Sequence, residues 1–233
     1  MKVLVIDVGG SNVKMVATGP TERRRFRSGT HMTPDRLVAE VQKRTSDWQY
    51  DVISLGIPAT VDATATRTEP GNLAPGWVGY DFAAAFGCSV RLINDAAMQA
   101  LGGYAGGRML FLGLGTGLGS ALIADRVIIP LELGGLSYNA KESLADRLSK
   151  KGLKRYGKKA WRQAVLEAAT ALRPVFVADY VLLGGGKADE MNALPDGVRR
   201  GAPEDAFTGG FRLWEEEIEP HVREVSNVWR VVR

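Results

Sequence analysis

The chain has 233 residues, 45% of them hydrophobic, with 28 glycines, one cysteine and a formal net charge of +4. That length supports one large domain or two small lobes with real cores. The single Cys88 excludes an internal disulfide and a zinc site built from several cysteines, as in a reducing cytoplasm. The mildly basic balance favours anionic ligands, and an ordinary solvated surface accounts for it equally well. No apolar stretch reaches the roughly 18 residues of a membrane helix. The opening run has no signal-peptide layout, so a soluble, cytoplasmic protein is expected.

Residues 2–8 (KVLVIDV) are β-branched and apolar, the pattern of a buried strand. Gly9 and Gly10 turn the chain, and residues 13–18 (VKMVAT) alternate as the returning strand. Residues 21–27 (TERRRFR) read as a third, exposed strand whose charge discourages edge pairing. Thr33 caps a helix to about Thr45, with Pro34 at its first position. Residues 51–57 form another buried strand, and 58–75 are loop-rich, with PGN at 70–72. A short helix is expected over 78–86 and a strand over 89–93, after which Asn94-Asp95 opens a helix to about Tyr104.

The opening pattern then returns. Residues 109–124 (MLFLGLGTGLGSALIA) align without gaps on residues 3–18 (VLVIDVGGSNVKMVAT). Few residues are identical, Leu4/Leu110 and Gly9/Gly115 among them, but apolar strand, glycine turn and apolar strand match throughout. Such a repeat points to a duplicated lobe. Residues 141–172 are expected to be mostly helical, and 177–183 to form a strand ending in Gly184-Gly185-Gly186. A helix from about Phe211 to Glu217 follows Gly209-Gly210. Strands alternate with helices, so the class is α/β. The expected division is a small lobe over 1–95, rejoined by 211–233, and a large lobe over 96–210.

The first glycine loop is Asp7-Val8-Gly9-Gly10-Ser11-Asn12. Glycine lets the backbone bend sharply and bring peptide N–H groups against phosphate oxygens. Ser11 and Asn12 can add side-chain donors, and Asp7 at the strand end can hold a metal ion through water. A plain Gly-Gly hairpin explains the same residues. The second loop, Gly113-Leu114-Gly115-Thr116-Gly117-Leu118-Gly119, carries more glycine than a turn requires. It is no Walker loop, since no Gly-Lys-Ser/Thr follows, and no Rossmann fingerprint, since a strand follows it. Gly184 to Gly186 can lie against a flat base or a phosphate chain, or simply connect a strand to a helix. Asp95 lies at a strand end between the two phosphate loops. It suits a carboxylate that accepts a hydroxyl proton during phosphoryl transfer, although Asn and Asp are also ordinary helix caps.

The set DVGGSN, GNLAPGW, INDA, LGTGLGS, LELG and LGGGKAD, in this order, resembles the ROK family of sugar kinases and repressors, most closely its polyphosphate glucokinase-like branch. The resemblance spans residues 1–217. It implies an actin-like, hexokinase-like (ribonuclease H-like) two-lobed fold with a duplicated βββαβαβα core and a cleft between lobes. It makes Asp95 the general base on the sugar 6-hydroxyl, and Asn72, Asn94 and Glu132 the holders of sugar hydroxyls. It assigns Asp7, Gly9, Gly10, Ser11, Asn12, Gly115, Thr116 and Gly117 to donor phosphates. Gly184, Gly185 and Gly186 fall beside an adenosine if ATP is the donor. Mg2+ is the implied metal ion, near Asp7.

The sequence departs from the family at Glu132-Leu133-Gly134-Gly135, where the family has Glu-Leu-Gly-His, and one sugar contact is lost with that histidine. The family's cysteine-rich zinc motif is absent, and Ala59 stands where another glycine usually follows proline. A basic stretch, Arg147, Lys150, Lys151, Lys154, Arg155, Lys158, Lys159 and Arg162, has spacings of three and four that put several cations on one helical face. Polyphosphate would be drawn to that face, and a solvated surface or subunit contact fits it too. The leading expectation is a hexose kinase using polyphosphate or ATP with Mg2+, a cytoplasmic homodimer with no nucleic-acid or membrane partner. The second is a catalytically weak ROK-like sugar-binding or sensor protein without a DNA-binding domain.

Overall fold

A computed structural model describes residues 1–20, 22–62 and 64–215, together with the backbone of 218–221 and 228–231. The first half begins with β1 (Val3–Val8), β2 (Asn12–Ala17) and β3 (Arg24–Arg27), then α1 (Pro34–Arg44) and β4 (Val52–Ile57). α2 (Phe82–Phe86), β5 (Ser89–Asn94) and α3 (Asp95–Gly103) complete it. The second half runs β6 (Met109–Leu114), β7 (Leu118–Ala124), β8 (Val127–Leu131), β9 (Ser137–Asn139), β10 (Glu142–Ser143), α4 (Leu144–Leu148) and α5 (Lys150–Val175). It ends with β11 (Tyr180–Gly184), β12 (Val198–Arg200), α6 (Asp205–Arg212), β13 (Ile218–His221) and β14 (Val228–Val231).

Two mixed sheets carry the fold, ordered β3-β2-β1-β4-β5 and β12-β11-β6-β7-β8-β14-β13, with β9 and β10 as a separate pair. Each sheet starts from an antiparallel hairpin, β1–β2 or β6–β7. Each lead strand also pairs in parallel with a later one, β1 with β4 and β6 with β11. The equivalence reaches single residues: Asp7 faces Lys14 across the first hairpin, and their counterparts Gly113 and Ser120 lie on the same two strands of the second, one position out of register with each other. The fold is thus the two-lobed, actin-like α/β arrangement with a duplicated βββαβαβα core. In the second copy, the place of α2 is taken by a single 3-10 turn at Ala188–Glu190.

Three apolar layers result. α1 and α2 cover the outer face of the first sheet, burying Leu4, Ile6, Leu37, Val41, Leu55 and Trp77. α4 and α5 cover the outer face of the second, burying Leu110, Leu112, Trp161, Val165 and Leu183. Between the sheets, α3 and α6 pack with Val5, Met98, Leu101, Phe111 and Phe207. β1, β4 and β6 are buried on both faces, which is why they read as continuous apolar runs rather than alternations.

The local signals act as expected at the helix starts. Thr33 Oγ1 accepts from the Arg36 N–H at 3.3 Å, with Pro34 beginning α1. Asn94 caps α3. Ser143 and Asp146 form a reciprocal capping box at α4.

Two expectations are corrected. Gly209 and Gly210 do not precede the last helix but lie inside α6, because α6 crosses α3 almost backbone to backbone. A Cβ on Gly209 would come 1.8 Å from the Met98 carbonyl oxygen, and one on Gly102 1.8 Å from that of Asp205. The expected end of that helix at Glu217 lies outside the described residues. The basic stretch is no continuous helical face either: Gly157, at φ 75° and ψ 165°, breaks α5 into two helical segments and resets the phase between Lys154 and Lys158. Of the residues expected to rejoin the first lobe, Phe211 and Arg212 end α6, which packs on β1 and β4, whereas β14 pairs with β8 and extends the second sheet. Among the described residues no helix is long and apolar enough to cross a membrane.

Candidate active site

The lead hairpins of both copies point their glycine loops into one cleft of about 820 Å³. Asp7, Gly9, Gly10, Ser11 and Asn12 line one wall, and Gly115, Thr116 and Gly117 the other. The loops meet at their tips, where Ser11 Oγ and Thr116 Oγ1 lie 3.4 Å apart. The first loop is tied down by the Gly9 N–H donating to the Asn12 carbonyl at 3.0 Å and by Ser28 Oγ donating to the Gly9 carbonyl at 2.6 Å. The second is held by the Lys150 N–H, which donates to the Gly115 carbonyl at 2.8 Å and so joins it to the start of α5. Neither Gly115 nor Gly117 has any atom within 4 Å of where a Cβ would stand, so the space over their backbone is open to a ligand.

Asp95 stands between the loops at the first turn of α3. Its Oδ1 accepts from the Ala96 N–H at 2.9 Å. Burial, with the negative charges of Asp7 and Glu132 nearby, pushes its carboxyl up from 3.8 to about 7. Asp7 is buried at the end of β1, and burial raises its carboxyl as well, opposed by the Lys14 ammonium 3.3 Å away. Two carboxyls with raised proton affinity at one cleft bottom are the arrangement in which one takes up a proton near neutral pH.

The expected sugar-side residues reach the same cleft. Asn72 lies over Gly10, its side chain 3.6 Å from a Cβ placed there. Asn94 is largely committed to the protein: Oδ1 accepts from the N–H groups of Ala96 and Ala97 at 3.0 and 3.1 Å, and Nδ2 donates to the Ala59 carbonyl at 3.2 Å. One Nδ2 proton remains for a ligand. Glu132 is exposed in the cleft, followed by the 3-10 turn Leu133–Gly135. A methyl on Gly134 would stand 3.2 Å from Ala145 Cβ and 3.3 Å from the Leu118 carbonyl, whereas Gly135 has open space around it.

The remaining expected residues divide. Gly185 and Gly186 line the cleft, and Gly185 sits at φ 79° against the Leu114 backbone, where a Cβ would fall 2.7 Å from the carbonyl. Gly184 packs on the Phe111 ring and opens instead to a neighbouring cavity. Of the basic candidates only Lys150 lines the cleft; Lys151, Lys154, Arg155 and Lys158 lie outside its lining. Arg155 pairs with Glu142 at 3.4 Å and Lys158 with Glu190 at 2.8 Å. The stretch has no acid within it, but acids from elsewhere in the chain neutralise part of it.

The cleft also contains residues that sequence reasoning missed: Lys14, Glu69, Gln99 and Lys187. The signal for Lys14 was a lone cation in an otherwise apolar alternation, and for Lys187 a cation directly after the triple glycine. Glu69 had no local signal. Its carboxylate accepts from the N–H groups of Gly76, Trp77 and Val78 at 3.1 to 3.4 Å, which lowers its pKa and closes the loop carrying Asn72.

Among the described residues no cluster of three His, Cys, Asp or Glu side chains could cage a metal ion. The donor set, one buried carboxylate facing two phosphate-type loops, fits Mg2+ bound through water and donor oxygens rather than in a protein cage.

The duplicated core and this cleft define a protein with the fold of the ROK sugar kinases. A glucokinase of that family from Streptomyces griseus, solved with glucose and AMPPNP, superposes with a TM-score of 0.71 at 14% identity, over 90% of this chain and 97% of that one. In sequence the chain is polyphosphate glucokinase-like. The polyphosphate glucokinase of Mycobacterium tuberculosis is 28% identical over 219 residues, covering 81% of this chain and 80% of that protein. The inorganic polyphosphate/ATP-glucomannokinase from Arthrobacter superposes with a TM-score of 0.75 at 22% identity, over 89% and 96% of the two chains. No protein-family model matches the chain.

Proposed function

We propose that the chain is a hexose kinase that transfers a phosphoryl group from polyphosphate or ATP to the 6-hydroxyl of glucose or a related sugar. The observation that carries the reading is Asp95, a carboxyl with raised proton affinity set between two paired glycine loops. Likeness to polyphosphate glucokinases and to ROK kinases supports it.

In this reading Asp95 is the general base. It accepts the proton of the attacking hydroxyl as the new O–P bond forms and the terminal anhydride P–O bond breaks, and the shortened donor leaves. Asn72, Glu132 and the free proton of Asn94 orient the sugar. The N–H groups of the two loops, with Ser11, Asn12 and Thr116, bind donor oxygens. Gly185 and Gly186 border the rest of the donor, and Gly184 lies behind them. Lys150 and Lys187 bring positive charge to the donor side. Asp7 would hold Mg2+ through water, and the ion, when bound, offsets phosphate charge. The two halves act as lobes that close on the substrates and exclude water. A homodimer in the cytoplasm goes with the reading, tested by sedimentation of the purified chain and by cell fractionation.

The deciding experiment is a panel of donors (ATP, tripolyphosphate, long-chain polyphosphate) against glucose, mannose and other hexoses, read as sugar phosphate formed. Transfer to at least one hexose is expected. Failure of every pair, with calorimetric sugar binding retained, would favour a sensor instead.

A further inference from the structure

A second cavity of about 480 Å³ opens from the cleft, sharing Asn12, Lys14, Gln99, Gly185 and Gly186 with it. One wall is glycine and alanine backbone at 184–186 and 201–202, and the other is β2 and β3. The arginine run that read as a protective strand edge is split by the pleat. Arg24 turns to the outer face, stacked on Trp48 and paired with Asp47. Its neighbour Phe26 is buried in the outer core. Arg25 and Arg27 alternate to the other face.

There Arg25 stands directly opposite Lys14 in the antiparallel register, and Arg27 opposite Asn12. Like charges facing each other across a strand pair destabilise the sheet. Arg25 and Arg27 have no ion-pair partner among the described residues. Arg23, on the same rim, pairs with Glu204 at 2.8 Å, and Asp189 is the acid in the lining. Lys14 pairs with Asp7 at 3.3 Å on its other side, which leaves Arg25 as the lining cation with no ion-pair partner among the described residues, placed where an anion extending out of the phosphate cleft would meet it.

We propose that this second cavity, with Lys14 and Arg25 as its basic wall, binds the phosphates of a linear polyphosphate chain that lie beyond those held in the cleft. The inference rests on the kinase reading for the direction in which the chain enters. It moves the polyphosphate track from the basic stretch of α5, of which only Lys150 lines the cleft, to the β2–β3 face, which is continuous with the cleft through Asn12 and Lys14. Among linear polyphosphates, tripolyphosphate ends before the cavity, so only longer chains gain from it.

The test is equilibrium binding of long-chain polyphosphate and tripolyphosphate to the wild type, Arg25→Ala, Arg25→Glu and Lys154→Glu, by calorimetry at low and high salt. Arg25→Ala should weaken long-chain binding about fivefold, the effect of one basic residue at an anionic surface, and Arg25→Glu more. Tripolyphosphate affinity should stay within error. Without ligand, Arg25→Ala should melt at or above the wild-type temperature, because an opposed charge has been removed. Unchanged long-chain affinity in Arg25→Glu overturns the proposal. So does an equal loss for tripolyphosphate, or a loss confined to Lys154→Glu. Since the readout is binding, a wild type that binds long chains but phosphorylates no sugar would refute the kinase reading and leave this inference to its own result.

Discussion

Replacing Asp95 by Asn separates what its carboxylate does for the reaction from what it costs the fold. The carboxyl titrates at about 7 in the folded protein against an ordinary 3.8, a rise of about three pH units. At about 1.36 kcal/mol per unit, the ionised form carries a penalty of about 4 kcal/mol. The sign follows from proton counting. Between about pH 4 and 7 the native state holds a proton that the unfolded chain has released, so stability falls as pH rises through that window and levels off above it. The amide does not ionise and can still accept from the Ala96 N–H. Asp95→Asn should therefore melt several degrees above the wild type at about pH 8, since each kcal/mol is worth about 2–4 °C in a chain of this size. The gap should close as pH falls toward about 4. Loss of the charge also eases the ionisation of Asp7, which adds in the same direction. Sugar phosphorylation should drop by about 10²–10⁴, and wild-type kcat/KM should climb with pH through about 7. Melting curves and initial rates across the pH range read both effects. A stability difference that stays constant from about pH 5 to 8, or near-normal turnover in the variant, would refute the reasoning.

Substitutions at five further positions probe the frame around that residue. Gly209→Ala places a methyl 1.8 Å from the Met98 carbonyl and should destabilise by at least about 1–3 kcal/mol in thermal melts, while Gly117→Ala, which meets nothing within 4 Å, should leave the melt unchanged and raise KM for the donor. Gly135→His has room for its side chain, so the fold should hold and KM for the sugar should change more than kcat; Gly134→Ala, tight against Ala145 and Leu118, should lose stability instead. Glu69→Ala removes the acceptor for three loop N–H groups and should raise sugar KM several-fold, with Glu69→Gln restoring part of the affinity through its remaining carbonyl oxygen.

The fold was legible where the signal is local or repeated. The ungapped match of 3–18 with 109–124 gave both hairpins and their place as lead strands, and Thr33 and Asn94 marked helix starts through capping chemistry alone. The loops could be named because glycine clusters between two apolar strands are confined to few roles, and Asp95 because it follows a strand end between them. What escaped depends on distant partners. Gly209 and Gly210 look like a turn, and only the carbonyl of Met98, far off in sequence, explains them inside a helix. Glu69 is ordinary until the N–H groups of 76–78 fold onto it. The pairing of Arg155 with Glu142 and of Lys158 with Glu190 likewise joins segments that no window along the chain connects. The division of the arginine run between two faces follows from the pleat once β3 is in register with β2.

The crossing of α3 and α6 has a mechanical consequence. α3 packs on strands of both sheets and α6 on β1 and β4, so the two helices form the axle between the halves of the molecule. Gly102 and Gly209 remove side chains from the point where they touch. The contact is bare only at that point, since Met98, Leu101 and Phe207 fill the layer beside it. The same bareness binds two distant sequence positions into one steric unit: neither glycine can gain a methyl unless the backbone opposite gives way.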